Sequence, residues 1–344
     1  SAPKLTMVNA LAALAAGGEL IVIGNGVTVN DSGSVNVLTV GTGANGATWA
    51  SGSSFSAMTI IRGETPFGVT FKYTTTGNVF GVGVVNQKGT YQWVDGLCFD
   101  VQNNDEEAQY NLLGSNNRMT RILYRSRGAA GGYQAYKQPI NAAGSNNLVQ
   151  DVALCGAMRY GVYTGNGGSG GTVKFNVFRR VVVRCDEYSP SGSGQPHASF
   201  ACYGDNSSGS AVGSMVYQNC IAIDGIRAAS TANADAYTWG AWYNPKITSG
   251  NLYQGCIALN VQTSRAGFMV VDNLGGASPT MTDCVGWGIS YAGVGNGAPQ
   301  GIFSTNSGTA GGTCVDRSAE DRRAGKAGIS PWSPHHLKSS LFTK

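Results

Sequence analysis

The stretch VYQNCIAIDG (Val216–Gly225) recurs as LYQGCIALNV (Leu252–Val261), with the two cysteines 36 positions apart. A short apolar phrase repeated at a long interval marks a stacked architecture, in which one structural unit is written again for each layer. With Cys220 as anchor, the pattern apolar-x-[Asn/Asp/Gly]-Cys-apolar-x-apolar also places Cys256, then Cys284 in TMTDCVGW (Thr280–Trp287), then Cys314 in GGTCVD (Gly311–Asp316). Upstream the slot holds Leu97, Ile122, Val152 and Val181. Successive anchors lie 25, 30, 29, 39, 36, 28 and 30 residues apart. A constant strand with loops of changing length produces such a drifting period; helical repeats keep a tighter one.

A second series accompanies the anchors. YGVYTGN (Tyr160–Asn166), WGAWYN (Trp239–Asn244), AGFMVVDN (Ala266–Asn273) and QGIFSTN (Gln300–Asn306) each read glycine, apolar alternation and then, in most, asparagine. Alternation turns every second side chain inward. Glycine and asparagine tolerate the left-handed backbone of a sharp corner. Each coil therefore carries at least two short strands joined at a turn. Only 12% of the 344 residues are charged and 51 are glycine, a composition that suits tight turns and short strands over solvated helices.

The expected fold is all-β, a right-handed single-stranded parallel β-helix whose coils stack at about 4.8 Å. The anchor slot then becomes a ladder of Leu97, Ile122, Val152, Val181, Cys220, Cys256, Cys284 and Cys314. Cysteine stands there in the place of valine and isoleucine, as a small buried hydrophobe. The sequence predicts thiols in core positions and no metal site. Cys155, Cys185 and Cys202 fall outside the slot, and a bridge among them stays open.

Three regions follow. Residues 1–18 form an N-terminal cap, with an amphipathic helix over Leu5–Ala16 stopped at Gly17-Gly18. Residues 19–317 form the solenoid. Residues 318–344 drop the coil pattern and gather charge, and are expected to serve attachment or subunit contact through Trp332, Leu337 and Phe342. The Ala-rich segment leading through glycine into ELIVIG, together with strands such as QGIFSTN, resembles the pectate-lyase-like right-handed β-helix superfamily. That resemblance covers roughly Lys4–Arg317 and implies an architecture shared by polysaccharide-cleaving enzymes and virus spikes.

Searching for chemistry returns little. Calcium-dependent lyases of this superfamily need several carboxylates around a hard cation, and its hydrolases need two flanking the bond. The acidic groups here are Asp95, Asp100, Asp105, Glu106 and Glu107; then Asp186, Glu187 and Asp205, near His197; then Asp224 beside Arg227, where the next rung offers Asn260. Solvated loops explain the first two groups more simply. The family motifs WxDH, RxPxxR and the polygalacturonase acid series are missing from the sequence, as are P-loop, GxSxG and HExxH patterns. No cofactor is implied, with calcium the expectation only for a lyase. ADAYTWGAWYNP (Ala234–Pro245) gathers Tyr237, Trp239, Trp242 and Tyr243, of which alternation turns some outward for sugar stacking or a subunit contact.

The net charge of +4 is scattered, which argues against nucleic acid, and no apolar run is long enough to span a membrane. The leading serine fits either removal of an initiator methionine or cleavage of a signal peptide. The first expectation is a structural surface protein of a virus particle, a phage spike, fibre or decoration protein. It would be trimeric, as spikes resembling it are, in contact with other virion proteins and able to bind a host glycan. The alternatives are a polysaccharide lyase or glycoside hydrolase on the same scaffold, and a secreted self-assembling filament subunit or adhesin on a cell surface.

Overall fold

The computed structural model describes residues 7–23, 27–31, 49–73, 85–101, 110–126, 138–156, 158, 160–165, 171–185, 198–203, 211–224, 242–245, 247–260, 268–271, 280–287, 303–304 and 311–316. Every strand pairing between coils is parallel, and each coil presents three faces. The first and second faces belong to one continuous sheet that bends at a corner, and the third is a separate sheet. Along Arg118–Ser126, Leu148–Gly156 and Val177–Cys185 a single strand runs through both of the first two faces. Elsewhere the corner divides it, as between Val216–Gln218 and Ile221–Asp224. The third face stacks Val85–Gln87, Tyr110–Leu112, Ile140–Ala142, Tyr160–Thr164, Ala198–Cys202, Trp242–Pro245, Phe268–Val271 and Phe303–Ser304. This is the parallel β-helix that the repeat predicts.

The anchor ladder holds in register. Val152 lies between Ile122 and Val181, and Cys284 pairs with Cys314. The pairings Ile221–Ile257 and Ile257–Val285 bring Cys220, Cys256 and Cys284 into one column. The column continues upstream through Val69 and Val27. Cys220, Cys256 and Cys284 are fully buried, and their thiols donate to main-chain oxygens, Cys220 to Phe178 O at 3.2 Å and Cys256 to Tyr217 O at 3.4 Å. Cys98, Cys155 and Cys202 are also buried, and none of the three is in a disulfide. Burial pushes the Cys202 thiol up to about 12 and the Cys98 thiol up to about 11, so these two sulfurs stay protonated.

The repeated phrase now has a physical reading, residue by residue. Tyr217 points in and stacks between Phe178 and Tyr253, with ring centroids 5.0 Å apart on each side. Gln218 points out and donates through Nε2 to Gln254 Oε1 at 2.9 Å. Asn219 turns the corner at φ 52°, as Gly255 does at φ 60° in the next coil. Cys220 points in again. The phrase therefore spells in, out, corner, in, and stacking identical spellings buries like upon like.

The corner from the third face back to the first carries a second column that the apolar pattern does not announce. Asn117, Asn147 and Asn176 are buried, and each accepts through Oδ1 the backbone N–H of the equivalent residue one coil earlier. Gln92 donates to Asn117 at 2.8 Å, Asn117 to Asn147 at 2.8 Å and Asn147 to Asn176 at 2.9 Å. Their Nδ2 groups donate back to the Gly89, Gly114 and Gly144 carbonyls. Met215 occupies the next position, and Asn251 resumes the column by accepting from the Met215 N–H at 2.9 Å. Buried turn amides are satisfied in this way without water.

The N-terminal helix stops earlier than the sequence predicts, at Ala12 rather than Ala16, while Leu5 lies outside the described residues. It spans Met7–Ala12, and Leu14 N–H then closes a turn onto Leu11 O at 3.1 Å. Gly17, at φ 71°, gives its N–H to Thr59 Oγ1 at 2.9 Å, which holds the chain to the first full coil before the helix can add another turn. The tail, with Trp332, Leu337 and Phe342, lies outside the described residues.

Candidate glycan-binding face

The outer surface of the first face is built of columns running along the solenoid. The first column contains Trp93, Arg118, Leu148, Val177, Val216 and Leu252, all half-buried. Two residues further along the strand, the second column contains Arg62, Asp95, Thr120, Gln150, Arg179, Gln218 and Gln254. The third is the corner itself, where Gly96, Arg121, Asp151, Arg180, Asn219 and Gly255 all have positive φ. Left-handed backbone is ordinary for glycine and asparagine but strained for arginine, whose Cβ crowds the following carbonyl.

Ion pairs hold the arginines at the corner. Arg121 forks onto Asp95, with Nε 2.8 Å from Oδ1 and Nη2 on Oδ2. Arg180 forks onto Asp151, with Nε to Oδ1 at 2.5 Å and Nη2 to Oδ2 at 2.8 Å. Hydrogen bonding to Arg180 holds the Asp151 carboxyl below its ordinary value of 3.8, and the pairing raises both guanidinium pKa values. A depressed carboxyl adds stability that is fully present above 3.8 and disappears as the pH falls through its lower folded value. The denaturation midpoints of wild type and Asp151→Asn should therefore differ at neutral pH and converge on acidification below 3.8. A constant gap at every pH would remove this role. The expected gap is small, because the pair is solvent-exposed.

At the N-terminal end of this face sits an aromatic and cationic platform. The Arg118 guanidinium carbon lies 5.1 Å from the Phe55 ring centroid and 5.7 Å from that of Trp93. Phe55 stands 51% exposed at a tight turn and meets Tyr91 edge-on at 5.2 Å. Trp93 Nε1 donates to Thr120 Oγ1 at 2.7 Å, and the Thr120 hydroxyl donates to Asp95 Oδ1 at 2.6 Å. One connected network thus fixes the plane of Trp93, the carboxylate of Asp95 and the fork of Arg121. Among the described residues, no carboxylate or hydrogen-bond acceptor meets the Arg118 guanidinium, which lies against two rings. Two coils beyond Arg118, Phe175 adds a 57% exposed ring at the edge of the same face.

The structure relocates several residues expected to carry function. Asp95 is not in a solvated loop; it lies in Gln92–Asp95, buried, with both oxygens engaged as above. Asp100 lies in the strand Leu97–Val101, in register with Lys72 and Arg125 on the second face. Asp224 pairs in register with Asn260, as the spacing predicts. Trp242 is fully buried and stacks on Phe200 with centroids 4.7 Å apart, so it is core and presents nothing to a ligand. Tyr243 belongs to the strand Trp242–Pro245. Tyr237, Trp239, Asp105, Glu106, Glu107, Asp186, Glu187, Asp205, His197 and Arg227 lie outside the described residues. Among the described residues no cluster of three metal-ligating side chains occurs. The platform of Phe55, Tyr91, Trp93 and Arg118 was not expected from the sequence.

No protein-family model matches this chain, and no curated protein matches it. Among solved structures, a mutant of the PL6 family alginate lyase AlyGC is similar at 12% sequence identity and a TM-score of 0.35. The match covers 90% of this chain and 52% of the enzyme, so the chain spans about half the length of the structure it matches.

Proposed function

We propose that this chain is a β-helical surface protein that holds an extended polysaccharide along the outer side of its first face. The observation that carries this reading is the platform of exposed Phe55 and half-buried Tyr91 around Trp93 and Arg118, at the head of parallel columns of amides, hydroxyls and guanidinium groups. Aromatic faces stack on the apolar faces of pyranose rings, and amide and guanidinium columns supply hydroxyl and acid contacts. An extended glycan advances by about one coil per sugar, so successive sugars meet successive rungs. The described carboxylates of this face, Glu19, Asp95 and Asp151, are already bound by arginine, which favours holding over cleaving. The setting we propose is a phage spike, fibre or decoration protein assembled as a trimer. It is supported by the low-charge solenoid and by the charged, non-repeating 318–344 segment. Light scattering that returned a monomer would remove the trimer.

Affinity electrophoresis through gels containing polysaccharide tests the face directly. Retardation by at least one polymer is expected, and Phe55→Ala should weaken it about tenfold, the effect of losing an exposed aromatic anchor. Phe55 is exposed, so its loss should leave the denaturation midpoint nearly unchanged. Equal retardation of the variant by every polymer tested would overturn the reading.

A further inference from the structure

Positive charge on the first face is not evenly spread over the coils. The strand Arg118–Ser126 presents Arg118 and Arg121 on this side, and the strand Val177–Cys185 presents Arg179 and Arg180. The strand between them, Leu148–Gly156, presents Leu148, Gln150 and Asp151, with no cation. Two basic rungs thus flank a neutral-to-acidic one, and the basic rungs stand about 10 Å apart. In each basic rung one arginine is spent on the corner pair, and the other keeps donors that no described residue engages. Among the described residues Arg118 has only its ring contacts, and Arg179 uses Nε on Gln218 Oε1 at 2.9 Å while none engages its Nη groups. Gln150 is turned aside, donating through Nε2 to Asp151 Oδ2 at 3.0 Å.

From this spacing we infer that the ligand is a linear polysaccharide carrying an acid group on every second sugar, a disaccharide-repeat polyanion. The inference rests on the glycan-binding reading above. Arg118 and Arg179 receive successive acid groups, and the intervening sugar, uncharged, lies over Leu148 and Gln150. A polymer charged on every residue would set one acid group over Leu148 and Gln150, where the strand offers no cation and the Gln150 amide is already turned to Asp151. The spacing also disfavours single-stranded nucleic acid, whose phosphates repeat at much shorter intervals than two rungs.

Hyaluronan, with one carboxylate per disaccharide, polygalacturonate, with one on every residue, and neutral dextran serve as probes, with single-stranded poly(dT) as the nucleic-acid arm. Affinities of the full chain are compared at equal carboxylate concentration and fixed salt. We expect hyaluronan to bind about tenfold more tightly than polygalacturonate, and Arg118→Ala and Arg179→Ala each to lower hyaluronan affinity about tenfold. Gln150→Arg places a cation on the middle rung and should erase the preference by strengthening polygalacturonate binding. This gain cannot arise from misfolding. Polygalacturonate binding as well as or better than hyaluronan would overturn the alternation while leaving the glycan reading intact. Arginine-dependent binding of poly(dT) alone would overturn both, as would failure of every glycan to bind.

Discussion

Gly144→Ala is expected to be among the most damaging single substitutions in the described coils, at about 4 kcal/mol or more. A Cβ at Gly144 would lie 1.8 Å from the Gly114 carbonyl oxygen and 2.6 Å from its carbon. Gly114 is itself in the same relation to Gly89 O, at 1.8 Å, so three successive coils touch through bare backbone at this corner. The obstacle is main chain and cannot rotate away. The coils cannot separate either, because Asn147 Nδ2 donates to that same Gly114 carbonyl at 3.0 Å. Denaturant unfolding followed by circular dichroism measures the effect, with Gly171→Ala as the control. A Cβ at Gly171 meets nothing within 4 Å, so that change should be neutral or stabilise by about 0.5 kcal/mol. Two variants with equal midpoints would show that the contact is not tight.

Asn147→Ala is expected to cost about 2–5 kcal/mol, by a different route. It leaves the Asn117 N–H and the Gly114 carbonyl without partners inside the corner, and each orphaned buried group costs about 1–3 kcal/mol. Asn147→Asp separates the two roles. Its carboxylate still accepts from Asn117 N–H but cannot donate to Gly114, so a charge is buried against a carbonyl and the variant should be least stable at neutral pH. Half-buried Asn116, one position before the column in its coil, carries no such load. Asn116→Gly keeps its φ of 61° without strain and should change stability by only a few tenths of a kcal/mol. If Asn147→Ala unfolded at the wild-type midpoint, the column would be ornament and not support.

The contrast between these columns shows what a single sequence discloses. The cysteine ladder is legible because the same in-out spelling surrounds Val152, Val181, Cys220 and Cys256, and core slots accept any small apolar residue. The corner is legible at Asn219 and Gly255, whose residue types favour left-handed backbone, and illegible at Arg121 and Arg180, whose types do not. There the conformation is imposed by neighbours in register, and sequence propensity is overruled. The asparagine column did leave a trace, GSNN at 114–117 and again at 144–147, but Asn176 and Asn251 stand in unrelated surroundings and dilute it. The binding platform is least visible. Phe55, Trp93 and Arg118 come from three separate stretches and meet only once the coils are stacked. The aromatic-rich Ala234–Pro245 segment drew attention to Trp242, which the fold places inside.

The uneven spacing of the anchors has a consequence for how such a chain can change over time. Between Val181 and Cys220 the coil takes 39 residues, and between Leu97 and Ile122 only 25, yet the columns run through both without losing step. Length is therefore free in the arcs and fixed in the rungs. Insertions in the arcs can lengthen, decorate or replace loops without moving a single ladder residue. A one-residue insertion inside a rung inverts every side chain downstream to the next corner. Variation among descendants of this sequence should accordingly be punctuated: long indels confined to the arcs, and near-constant length across the six or so positions that spell each strand and its corner.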